Sequence, residues 1–372
     1  TPDLRKPELE KFIERAVRNT KFVEEDPYRS IPEPAYYEGK KDIDLQIYDG
    51  NMAALSPEKR HKIAKEIEDA CLDEGGDRVV SVEAGISDDS WEEVVMNSQG
   101  FEGSNRATSC WTGASMTARD EGDRRPNGYH WVGCRQMEDL PSARDTGKMA
   151  AIKTLDLLGA KKLPTETLPI IVENRVGSNV VWGLLSGFYG GNIQQKRSFL
   201  AGMKGKMIAS NKLSLQDNPF IPRGFGSRLY DGDGLPTKPM MLVNEGRLEN
   251  YLIDWYYSRK LNCEPTTGGT SNLVIQPGQQ PVSDLMKNLG RGILITGFIG
   301  GNSNEATGDF SVGIIGKLFE NGQPVQSIAE MNIAGNHLTF WKKLIALGND
   351  PWKYSNWLTP SMVFEDVVVS GV

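Results

Sequence analysis

Histidine is scarce in this chain: His61, His130 and His337 are the only three in 372 residues. No two lie within a helical turn of each other, so a zinc helix of the HExxH type, which needs two imidazoles on one face, cannot be built. Cysteine is also sparse. Cys71, Cys110, Cys134 and Cys263 form no CxxC pair, which leaves neither a zinc-ribbon pattern nor a disulfide framework. His130 and Cys134 have a spacing that could hold a metal on a helix. Their segment reads as a strand, however, where residues four apart sit roughly 13 Å from each other. Long apolar runs are missing too. Stretches such as Gly292–Gly300 fall far short of the ~18–20 residues of a membrane helix, and Thr1–Glu10 is charged with no apolar run behind it, unlike a signal peptide. Cytoplasmic location and reduced thiols are therefore expected. Finally, positive charge is not in excess. A formal charge of −7 argues against a nucleic-acid surface, and the cluster Lys204, Lys206 and Lys212 reads as solvated surface. Gly187, Gly190 and Gly191 make no nucleotide fingerprint.

What is there suits a soluble globular protein: 38% hydrophobic and 24% charged residues. The length suggests two domains, with a boundary expected near residue 160, giving 1–160 and 161–372. Apolar residues at helical spacing predict a helix over 8–22. Ser56-Pro57-Glu58 is a helix start, with a capping hydroxyl, a proline at the first position and an acid near the positive dipole end. That helix should run to about Leu72. Segments 79–86, 91–97, 107–118 and 129–135 are rich in β-branched and aromatic residues and predict an antiparallel meander. A helix is expected over 142–158 and an apolar one over 178–188. Beyond Ile208 the chain should be mostly β, with hairpins at Asn244-Glu245-Gly246 and Asn321-Gly322, a last helix near 336–347 and a closing strand at 364–369. The fold class is α+β: an N-terminal α/β domain followed by a mainly antiparallel β domain.

Residue chemistry alone yields few candidates. No cysteine sits in an activating context. Asp231 and Asp233 offer a carboxylate pair, although in a glycine-rich loop such residues more often serve turns through side-chain to backbone bonds.

More specific is the stretch Tyr230–Leu248, YDGDGLPTKPMMLVNEGRL. It resembles the acid- and glycine-rich loop, PT step and hairpin of the TldD/PmbA family, historically called modulators of DNA gyrase. Ser258-Arg259-Lys260-Leu261, Ser271-Asn272-Leu273, Thr307-Gly308-Asp309-Phe310-Ser311 and Ile333-Ala334-Gly335-Asn336 follow in the family's order. The resemblance is to the PmbA (TldE) branch, and it implies two kinds of subunit. The TldD kind carries an HExxxH helix that binds zinc, with the glutamate as general acid/base; the PmbA kind pairs with it. Anchoring on Arg197-Ser198-Phe199 puts that motif on Val181–Ser186, so that the ligand positions become Val181 and Ser186 and the glutamate becomes Trp182. Valine cannot ligate a metal and tryptophan cannot shuttle the proton.

The expectation is thus a subunit without a catalytic residue or cofactor of its own. Zinc is expected in a TldD-type partner, and an unstructured peptide would be threaded between the subunits of a homo- or heterodimer. The loop 223–234, with Arg223, Arg228, Asp231 and Asp233, is the candidate peptide-binding segment. The alternative is an autonomous homodimeric peptide-binding protein without peptidase activity. By the same resemblance, family members begin with a further α/β segment, so the N-terminal domain is expected to be truncated, and the loop between Cys263 and Asn272 is shorter than the family's.

Overall fold

A computed structural model describes residue 3 and residues 5–371. The first helix spans Lys6–Thr20 and precedes an extended segment. Ser56 then caps the helix Pro57–Gly75, its hydroxyl accepting the Lys59 amide at 3.3 Å. Three strands follow: β1 (Val79–Met96), β2 (Glu102–Ala118) and β3 (Asn127–Cys134), paired antiparallel in that order. Ser142 caps the next helix, Ala143–Leu155. The two helices lie on one face of this sheet, where Ile67, Cys71, Ala150 and Ala151 pack on Ala114, Met116 and Ala118.

The meander expected here has one strand fewer than the composition suggested. The run Ser87–Ser90 is polar and reads as a turn, yet β1 continues through it in register with β2, Asp88 opposite Cys110. The helix Pro57–Gly75 supplies the reason: Arg60 reaches across and grips the Asp88 carboxylate with two bonds, at 2.5 and 2.7 Å. A bidentate guanidinium–carboxylate pair of this kind fixes geometry as well as charge.

The chain then lays down β4 (Glu166–Val172) and the helix Gly177–Leu185. Next come β5 (Leu215–Asn218), β6 (Met240–Asn244), β7 (Arg247–Leu248) and β8 (Asn272–Ile275). Long strands β9 (Arg291–Ser303), β10 (Asp309–Glu320) and β11 (Gln323–Asn336) precede β12 (Leu344–Leu347), β13 (Trp357–Leu358) and β14 (Met362–Ser370). They form two sheets, β11-β10-β9-β4-β14-β12 and β13-β8-β5-β6-β7, mostly antiparallel, with β4–β9 and β13–β8 paired in parallel. β11 also pairs with β14, which draws the larger sheet towards closure. Both predicted hairpins form. Glu245-Gly246 and Asn321-Gly322 each take two positive φ values, the backbone that a tight two-residue turn needs.

The helix expected near 336–347 is mostly absent. Only His337–Phe340 is α-helical, Trp341–Lys343 is a 3-10 turn, and Leu344 enters β12. Strand pairing overrides local preference here: Leu344 and Leu347 pair with Phe364 and Met362 of β14, while Phe340 and Trp341 are buried in the core. The molecule is α+β, and among the described residues no helix is long and apolar enough to cross a membrane.

Candidate functional site

The helix Gly177–Leu185 carries Val180, Val181, Leu184 and Leu185 on its buried side, all within the main core. Its apolar face spans two turns, so burial rather than propensity holds it. Val181 is fully buried. Trp182 points the other way and is 59% exposed, lying flat on Trp357 with ring centroids 5.7 Å apart. Ser186, in the following turn, donates its hydroxyl back to the Gly183 carbonyl at 2.8 Å. Gly183 itself has no room for a side chain, because a Cβ there would run into the His337 imidazole.

His337 is buried between Phe199 and Phe310, with Nε2 3.1 Å from the Ser303 hydroxyl and Nδ1 unpartnered. Burial pushes its pKa down to about 4, so the ring is neutral at neutral pH. Beside the helix opens a cleft of about 390 Å³, walled by Trp182, Ser186, Tyr189, Arg197, Tyr257 and Glu305 among others. Among the described residues no three His, Cys, Asp or Glu side chains gather closely enough to hold a metal ion. Aliphatic, indole and hydroxyl groups on this helix are not a zinc donor set. His130 and Cys134 fit no better: both are buried in β3, and burial lowers the histidine pKa to about 4 and raises the thiol pKa to about 12.

The model of the PmbA/TldA metallopeptidase central domain matches residues 51–158, and that of its C-terminal domain matches residues 165–371. The chain belongs to the PmbA/TldD metallopeptidase family. A metalloprotease PmbA from Escherichia coli O157:H7 is 28% identical over 88% of this chain and 73% of its own length. A crystal structure from Bacteroides thetaiotaomicron, of a protein described as a candidate modulator of DNA gyrase, is 36% identical with a TM-score of 0.97. It covers all of this chain and 85% of that one. TldE from Thermococcus kodakarensis shares the fold, with a TM-score of 0.87 at 22% identity over 99% of this chain and 86% of its own.

The glycine-rich loop of this family member lies against a second cleft, of about 540 Å³. Of the four residues predicted there, Arg228 and Asp231 line it. Arg228 donates Nε to Ser271 at 3.1 Å and Nη2 to Thr267 and the Gly269 carbonyl. Asp231 is buried and accepts the amides of Asp233 and Leu235 at 3.0 Å each. Burial outweighs those bonds and raises its carboxyl to about 6. The other two face elsewhere. Arg223, at φ +62, pairs with Glu138 at 2.6 Å and Asp139 at 3.1 Å on the surface. Asp233 accepts the amide of Trp255, tying the loop to the start of the helix Trp255–Leu261. Gly226 abuts the Ser271 carbonyl so closely that any Cβ would collide with it.

The same cleft contains residues that the sequence did not single out: Arg106 from β2, Arg135 just beyond β3, and Trp91 and Glu93 from β1. Arg135 is buried although it has the opposite parity to the buried His130, Val132 and Cys134, so strand alternation gives no hint of it.

Proposed function

We propose that this chain is the non-catalytic, PmbA/TldE-like subunit of a cytoplasmic TldD-type zinc metalloprotease that processes or degrades extended peptides. The observation that carries this reading is the helix Gly177–Leu185 and the turn after it, where the positions onto which the resemblance maps the zinc motif present a buried valine, an exposed tryptophan and a back-bonded serine. In this account the partner holds the zinc and the general acid/base, and the chain forms part of the chamber wall. The relative named a metalloprotease and the one named TldE both support placing it in such an assembly.

Two features support peptide binding as its contribution. β1 is the edge of its sheet, with β2 as its neighbour, and so offers unpaired backbone groups for strand addition. The cleft lined by Arg228 and Asp231 flanks β1 through Trp91 and Glu93.

Co-expression with a TldD-type subunit tests the reading. Co-elution on size exclusion, with hydrolysis of an unstructured peptide only when the partner is present, is the expected result. Hydrolysis by this chain alone, or failure to associate, contradicts it. A homodimer that binds peptide without a partner would favour an autonomous binding protein instead.

A further inference from the structure

We infer that the cleft between segment 43–47 and loop 225–232 is a carboxylate clamp that takes the free C-terminus of a short peptide, an inference that rests on the peptide-binding reading above. Three guanidiniums line it, those of Arg106, Arg135 and Arg228. None of them makes a direct ion pair among the described residues, although Arg228 lies near enough to Asp217 and Asp231 to favour their charged forms. Arg135 is 9% exposed and meets only neutral groups: Nη1 donates to the Thr108 carbonyl at 2.9 Å and Nη2 to the Phe225 carbonyl at 2.5 Å. Its Nε is buried without a partner, and so is the hydroxyl of Tyr230 in the same cleft. Arg228 is likewise spent on hydroxyls and a carbonyl, while Arg106 lies over the Tyr48 ring at 3.8 Å.

An unneutralised buried guanidinium costs several kcal/mol of desolvation. Folds keep such a group where a ligand compensates it, which is why uncompensated buried charge in a cleft marks a binding site. Guanidinium matches the planar carboxylate fork with two parallel bonds, and the Tyr230 hydroxyl adds a further donor.

The acids in the cleft narrow the ligand. Asp231 is occupied by its loop amides, and Asp44 accepts the Gln46 amide. The Glu93 side chain makes no hydrogen bond or ion pair among the described residues, and Asp44 and Glu93 both lack a paired cation. A doubly charged phosphate would meet this negative charge. A singly charged carboxylate carried on a chain of N–H donors satisfies the arginines and the acids together. Trp91 and Phe225 supply apolar wall for its side chains.

Calorimetric titration of the full chain with trialanine, trialanine amide and inorganic phosphate tests the clamp. The free acid should bind about tenfold more tightly than the amide, the scale of one charge-assisted hydrogen-bond pair. Arg106→Gln and Arg228→Gln should each shrink that preference, weakening the free acid several-fold more than the amide. Arg106 is exposed, so its variant remains informative even where the less exposed Arg228 variant loses stability. Equal binding of acid and amide overturns the clamp and leaves the peptide-binding reading standing. Phosphate binding more tightly than trialanine overturns it in favour of a simple anion site. No binding of either peptide overturns both the clamp and the reading beneath it.

Discussion

Two buried titratable groups, His337 beneath the helix Gly177–Leu185 and Asp231 in the glycine-rich loop, have their pKa values displaced by burial in opposite directions. Beneath the helix Gly177–Leu185, burial lowers the His337 pKa to about 4. In the glycine-rich loop, burial raises the Asp231 pKa to about 6, against the pull of two backbone amides. On the helix side, the Ser186 hydroxyl is bonded to its own turn. The second cleft brings Arg106, Arg135 and Arg228 together with Asp44, Glu93 and Asp231 without a direct ion pair between them among the described residues. The helix onto which the resemblance maps the family's zinc motif is built for packing, while the glycine-loop cleft holds the buried, unpartnered Nε of Arg135. That contrast is the physical basis for reading the chain as a binding rather than a bond-breaking subunit.

The contrast can be broken most forcefully at the packed side. Leu184 is essentially fully buried, and Leu184→Ala should cost about 2–5 kcal/mol in a denaturant melt. A loss under 1 kcal/mol would mean the helix is not part of the core.

The histidine and the aspartate predict pH slopes of opposite sign. His337 has a folded pKa below its unfolded value, so its contribution to stability is present above about pH 6.5 and is lost as pH falls through about 4. His337→Phe should therefore remove up to about 3 kcal/mol of acid destabilisation between pH 7 and pH 4, read from melts across that range. Asp231 has a folded pKa above its unfolded one. Its contribution is present below about pH 4 and lost as pH rises through about 6. Asp231→Asn should thus be more stable than the parent at pH 8, by about 1–3 kcal/mol, with the gap closing on acidification. If both variants shifted the profile in the same direction, the opposition would fail.

Smaller effects sharpen the comparison. Trp182→Ala removes an exposed ring stacked on Trp357 and should cost about 1 kcal/mol or less beyond the area it covers. Arg223→Ala breaks surface ion pairs to Glu138 and Asp139 and a hydrogen bond to Gln46, so stability should change little and peptide affinity not measurably. A measurable loss of peptide affinity would bring Arg223 back towards the cleft.

Much of the architecture was legible because local chemistry decided it. Ser56-Pro57 and Ser142 cap helices, and Asn321-Gly322 and Glu245-Gly246 close hairpins, each through contacts within a few residues. Misreadings came where distant partners decided. Ser87–Ser90 looks like a turn until Arg60 arrives from another element, and Leu344–Leu347 looks helical until β14 pairs with it. The glycine-rich loop shows the same division. Its motif located one wall of the second cleft, yet only Arg228 and Asp231 face inwards, because Glu138 and Asp139 capture Arg223 and the Trp255 amide captures Asp233. Arg106 and Arg135 reach the cleft from β2 and the end of β3, more than 80 residues before the loop, and no spacing rule connects them.

The central claim is that this chain holds peptide and leaves zinc chemistry to a partner. Elemental analysis of the purified chain, after dialysis without chelator, addresses it most directly. The account predicts no stoichiometric zinc in the chain alone and about one zinc per assembly once a TldD-type subunit is bound, the content of a single dedicated site. About one zinc per chain without any partner would contradict it.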